Sequence, residues 1–131
     1  MGCIPFFISL ITKPRITADY STYLNLSGFH FVWSLILLVV VGPLTEEFVF
    51  RGYVFRLLQQ KTSIKIAAAI SSLIFAAVHG IQTGWFINHF LLGFFCCYVY
   101  VRSNSVWSSV LTHIGNNAIW YVCTGLLINK F

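Results

Sequence analysis

Acidic residues are almost missing from this chain. Asp19, Glu46 and Glu47 are the three among 131 residues, and charged residues of both signs make up only 8%. A soluble domain carries about a quarter charged residues, so a soluble globular fold is excluded. No CxxC spacing joins the four cysteines, Cys3, Cys96, Cys97 and Cys123. Cys96 and Cys97 are neighbours that point different ways on a helix. This argues against a disulfide framework or a thiolate site and for small apolar fillers. There is no HExxH, so no metal follows from spacing alone. The basic residues, which leave a net charge of +5, are scattered rather than gathered on one face. Nucleic acid is therefore not an expected partner, and loop charge that fixes membrane topology is. The opening MGCIPF has Phe6 where a myristoylation signal expects Ser or Thr. No basic stretch precedes IPFFISLIT, as a secretory signal requires. Internal repeats and low-complexity tracts are absent as well.

What is present is apolar. Hydrophobic residues make up 58% of the chain, and the mean hydropathy is +0.83. The expected fold is all-α, a polytopic transmembrane bundle of about four to five helices. Residues 1–28 read as an interfacial segment and loop, and 29–131 as one intramembrane helical domain. The run from Phe29 to Leu58 exceeds the roughly 20 residues needed to span a bilayer. Gly42-Pro43 is expected to break or kink it. Thr45 then stands as the N-cap of a second piece, with Glu46 and Glu47 in its first turn. RLLQQKTSIK, 56–65, reads as the next loop. Ile66 to His79 is a short helix whose small residues permit close contact with a neighbour, and Gly80 supplies its stop. Further helices are expected over 85–101 and 106–128. The basic loops at 56–65 and around Arg102 fall on one side, which the positive-inside rule makes cytoplasmic.

Ionisable groups inside a bilayer are costly and face a cavity or a partner. Glu46 lies ten residues from Arg56, and His79 fourteen beyond Lys65. His113 and Asn117 lie seven and eleven past Val106. At about 1.5 Å per residue these depths agree within a helical turn or two. Glu47 and Arg51 are i and i+4 and should pair, which leaves Glu46, about 100° away, free for chemistry. His113 and Asn117 are also i and i+4 and share a face. A carboxylate, two imidazoles and an amide suit hydrolysis. Glu46 takes a proton from water, His79 helps hold that water, and His113 and Asn117 donate to an oxyanion. The same residues allow a second arrangement, a zinc site formed by Glu46, His79 and His113 with one position open. His89 reads as an interfacial or hydrogen-bonded histidine, His30 as a headgroup-level one, Phe75 as a pocket wall and Asn116 as a packing or pore residue.

EEFVFR (Glu46, Glu47, Arg51), FAAVH (Phe75, His79) and HIGNN (His113, Asn117) together resemble the EExxxR, FxxxH and HxxxN/D motifs of the CPBP intramembrane proteases. That family includes CAAX prenyl-protein endopeptidases and bacterial Abi or bacteriocin self-immunity proteins. The resemblance covers roughly residues 29 to 128. It implies a multi-pass intramembrane endopeptidase of a bacterial cell membrane, cutting a prenylated CAAX tail or another membrane-associated peptide. It also implies Glu46, His79, His113 and Asn117 as the active core, with Glu47 and Arg51 in support. The metal question, zinc or glutamate alone, stays open at this point. The alternative within the same family is a non-catalytic immunity protein that protects by binding a partner.

Overall fold

The computed structural model describes residues 32–33, 35–81 and 85–128, with side chains as far as Cys123. Readings that fall on IPFFISLIT, the 13–28 loop, His30 and Lys130 lie outside them. The chain divides into two units, Met1–Leu37 and Leu38–Phe131, and the site described below lies in the second. Every regular element among the described residues is helical.

The first element, α1, passes through four consecutive segments, Ile36–Val41, Gly42–Glu47, Phe48–Phe55 and Arg56–Gln59. The first and third have the wider π-helical turn. Gly42-Pro43 does not break it, because Val41, Glu47 and Phe55 at the junctions all have helical backbone angles. Thr45 is accordingly not an N-cap. Its hydroxyl donates back along the helix to the carbonyls of Val41 at 3.0 Å and Gly42 at 2.8 Å. The physical reason lies in the register. A proline removes one N–H and crowds the preceding turn, and the π-helical Ile36–Val41 segment just ahead accommodates that disturbance without a break.

The polar 56–65 stretch is mostly helix as well. The turn is confined to 60–63, and Ser63 caps α2 (Ile64–Val78) by accepting from the N–H of Ile66 at 3.4 Å. Gly80, at φ 111°, turns the chain away after α2, a backbone conformation that glycine adopts without penalty. Helix α3 (Phe86–Ser103) ends on Asn104 in the left-handed conformation. Helix α4 is Val106–Ile128.

Helices α2 and α3 form the most extensive pair. Their approach is close because Gly93 faces Ser72, where an added Cβ would meet the Ser72 Cβ at 3.1 Å and Cα at 3.2 Å. Phe55, Ala67, Ala68 and Cys97 form the apolar core at the end of the bundle nearest the 60–63 turn, with Leu58 and Tyr100 packed against them. Deeper in, polar groups are buried beside apolar ones: Glu47, Arg51, Ser71, Ser72 and His113 lie among Phe50, Phe75 and Ala76. The outside is the reverse, with Val78, Ile81, Ile87, Leu111 and Ile119 each about two-thirds exposed or more. Among the described residues one helix, Phe86–Ser103, is by itself long and apolar enough to cross a membrane.

Candidate active site

Four helices contribute to one polar cluster. On α1, Glu47 and Arg51 pair across a single turn at 2.8 Å, with side chains 0% and 1% exposed. The second Arg51 nitrogen donates to the carbonyl of Gly93 on α3 at 2.8 Å. The guanidinium also lies 5.0 Å from the ring centre of Phe75 on α2, a cation–π contact. From α4, the Nδ1–H of His113 donates to the same Glu47 oxygen at 2.8 Å. One ion pair thus ties all four helices together, and it does so where the surrounding groups are out of contact with solvent.

Glu46, on the adjacent face of α1, is different. Its side chain is 31% exposed, and that of His79 is 26% exposed. One Glu46 oxygen lies 3.7 Å from Nε2 of His79, and the other 3.7 Å from Nε2 of His113. Both distances exceed hydrogen-bond length. The tautomers explain why no direct bond forms. His79 sits at the end of α2 with its Nδ1 2.8 Å from the carbonyl of Phe75. A carbonyl only accepts, so Nδ1 carries a proton and, in the neutral ring, Nε2 the lone pair. His113 is fixed in the same sense by the Glu47 carboxylate. Three acceptors, a carboxylate and two imidazole lone pairs, therefore face one another across a partly open gap.

The structure thus brings together Glu46, Glu47, Arg51, His79 and His113. Asn117 lies one turn beyond His113 on α4. Its amide donates to the carbonyl of Leu38 at 3.1 Å and accepts from the Asn116 amide at 3.3 Å, leaving one N–H of Asn117 uncommitted. Phe75 is fully buried, with ring centres of His79 and His113 at 4.5 Å and 5.7 Å. Among the described residues no three His, Cys, Asp or Glu side chains are spaced to share one ion.

One further histidine joins the site. His89 makes the hydrogen bond expected of it, its Nδ1–H donating to the Trp85 carbonyl at 2.9 Å, and its ring also stacks on His79, with ring centres 4.4 Å apart and planes 21° from parallel. The signal available was Gly93. His89 is one helical turn before it and shares its face, the face on which α3 meets α2.

The sequence profile of the type II CAAX prenyl endopeptidase Rce1-like family matches residues 28–119. "Putative membrane peptidase YdiL" of Bacillus subtilis (strain 168) is 35% identical over 82 residues, covering 60% of this chain and 32% of that protein. "UPF0177 protein YxdF" of Lactococcus lactis subsp. lactis (strain IL1403) is 33% identical over 81 residues, covering 62% of this chain and 44% of that protein. The chain therefore spans less than half the length of these two relatives. No solved structure matches it. The chain belongs to the Rce1-like family.

Proposed function

We propose that this member of the Rce1-like family is an intramembrane endopeptidase in which Glu46 activates a water molecule held between His79 and His113. The observation that carries the reading is the pair of 3.7 Å separations, one from each Glu46 oxygen to an imidazole lone pair. Glu46 takes the proton of the water as it attacks a peptide carbonyl, the general-base step. The tethers to Phe75 and Glu47 turn both Nε2 lone pairs toward the water as acceptors that orient it, and Glu46 passes the proton it has taken to the leaving amine as the tetrahedral intermediate collapses. The negative charge on the tetrahedral oxygen needs donors. The uncommitted N–H of Asn117 is the neutral one, and His113 becomes another once protonated.

Burial supports membrane residence and a multi-pass bundle: charged and hydroxyl groups are inside and large apolar side chains outside. A soluble protein rarely exposes such a continuous apolar surface, whereas lipid requires it. The substrate class that follows is a membrane-associated peptide, a prenylated CAAX tail or a lipid-anchored precursor, presented to the open side of Glu46 and His79.

Zinc is the other way to supply an activated water. Glu46, His79 and His113 would be its ligands, and their tethered Nδ1–H groups are of the kind that orient metal-binding histidines. Among the described residues no three such side chains stand close enough to share one ion, and inhibition separates the two sources of activated water: loss of cleavage in 1,10-phenanthroline, restored by added zinc, assigns a metal, and cleavage that survives it assigns Glu46 alone.

The test is a cleavage assay on lipid-anchored peptides in proteoliposomes, wild type against Glu46→Gln. Loss of the general base is expected to lower kcat by about 10²–10⁴-fold without loss of folded protein. Full activity in Glu46→Gln would remove the assignment. Partner binding that survives the substitution in a chain with no peptidase activity would favour the immunity-type alternative.

A further inference from the structure

We infer that His89 is a positioning residue for His79, and that it acts through its ring face. The inference rests on the peptidase reading of the site. His79 lies past the last residue of α2, and the chain turns away at Gly80 immediately after it. A single hydrogen bond, to the Phe75 carbonyl, fixes its Nδ1. One bond sets the tautomer but leaves the ring free to swing about the bond axis. Two neighbouring rings remove that freedom. Phe75 meets His79 at 4.5 Å with a 47° tilt, and His89 meets it at 4.4 Å and 21°. The centres of Phe75 and His89 are 6.2 Å apart, so the two rings approach His79 from directions roughly at right angles.

His89 is itself held. Its Nδ1–H donates to the carbonyl of Trp85 at 2.9 Å, and Trp85 packs edge-on against Trp120 of α4 at 4.6 Å. An imidazole anchored at the start of α3 thus sets the plane of the imidazole at the end of α2. That plane aims Nε2 of His79 at Glu46. Misplacing a catalytic group by about 1 Å costs on the order of 10²-fold in rate. A ring that swings through a few tens of degrees moves its far nitrogen by that order of distance.

The experiment compares His89→Ala and His89→Phe in the full chain reconstituted in lipid. Phenylalanine keeps the stacking face and removes both nitrogens. His89→Ala is expected to lower kcat by about 10- to 100-fold with KM nearly unchanged, and His89→Phe to restore most of that loss. In parallel, ¹⁵N-imidazole NMR of His79 reads the ring directly, whether or not cleavage is detected. The Nδ1-protonated form is expected in all three, with sharp ring resonances in wild type and His89→Phe and resonances broadened by ring motion in His89→Ala. Unchanged kcat and an unchanged His79 spectrum in His89→Ala overturn the inference. So does a His89→Phe variant as impaired as His89→Ala, since a nitrogen rather than the ring face would then be what matters. A chain that cleaves nothing in any variant defeats the peptidase reading instead, and the spectra alone then decide the positioning role.

Discussion

Glu47 carries more than its spacing suggests. One of its oxygens serves both Arg51 and His113, while its other oxygen and Arg51 Nε have no hydrogen-bond partner among the described residues. Buried charges of this kind are expensive singly and tolerable paired. Glu47→Gln strips Arg51 of its counter-charge and should cost about 3–5 kcal/mol, read by SDS-induced unfolding in mixed micelles. Adding Arg51→Met removes the orphaned charge, and more than half of the lost stability should return. Activity should not, because His113 has then lost the carboxylate that fixes its tautomer. An activity that recovers with stability would show that Glu47 serves the fold alone. The pair itself was legible in the sequence, because i and i+4 are neighbours on any helix. His113 joining it was not, because a linear string leaves the rotation of α4 about its own axis undetermined.

Helix α1 shows how an element can violate a local rule without ending. In the i→i+5 register of Ile36–Val41, the donor facing the Leu38 carbonyl belongs to residue 43, and Pro43 has no N–H. The Asn117 amide takes that carbonyl from α4. This bond lies on the exposed side of the bundle, where an acceptor facing lipid finds no water to satisfy it, and the asparagine offsets part of that cost while docking α4 onto α1. The sequence marked Gly42-Pro43 as a break or kink because propensity describes a helix in isolation. It had no means of registering a donor seventy-nine residues away. Asn117→Ala should therefore destabilise the protein by about 1 kcal/mol, and by less in a Pro43→Ala background, where the backbone regains an N–H for the same carbonyl. A coupling of at least about 0.5 kcal/mol in the double-mutant cycle is expected. Strict additivity would mean that the two sites act independently. A related constraint sits at Gly93→Ala, where the new methyl must displace the Ser72 backbone by a few tenths of an ångström. Where α3 rather than α2 gives way, the Gly93 carbonyl that holds Arg51 moves with it, so activity should fall before stability does.

At the scale of the molecule, the arrangement is inverted relative to a soluble protein, with the ion pair inside and aliphatic side chains outside. Hydropathy made the helices and their order legible, and the motif spacings made the convergence of Glu46, His79 and His113 legible. Side-chain stacking and the α2–α3 crossing were not, since both depend on helix rotation. Of the described helices, α3 has the length and apolarity to cross a bilayer alone, whereas α1 carries Glu46, Glu47 and Arg51 with it and α2 runs only 15 residues, so both gain from the bundle in lipid. The Glu47–Arg51 pair is what they would share on entering it, since an unpaired ionisable group is costly there. This gives a topology that can be mapped. The turn at 60–63 and the α3–α4 junction lie at one end of the helices, and the turn after α2 lies at the other. Single cysteines in place of the exposed Lys61, Ser103 and Ile81, in a background lacking Cys3, Cys96, Cys97 and Cys123, should react with a membrane-impermeant maleimide in two groups. Positions 61 and 103 should label from the same face, cytoplasmic by the positive-inside rule, and position 81 only from the other. In Glu47→Gln the partition at 103 should persist, because α3 inserts on its own hydropathy, while labelling at 61 should become mixed as α1 and α2 lose their shared anchor. Labelling of all three positions from one face would mean that these helices lie along the bilayer rather than through it.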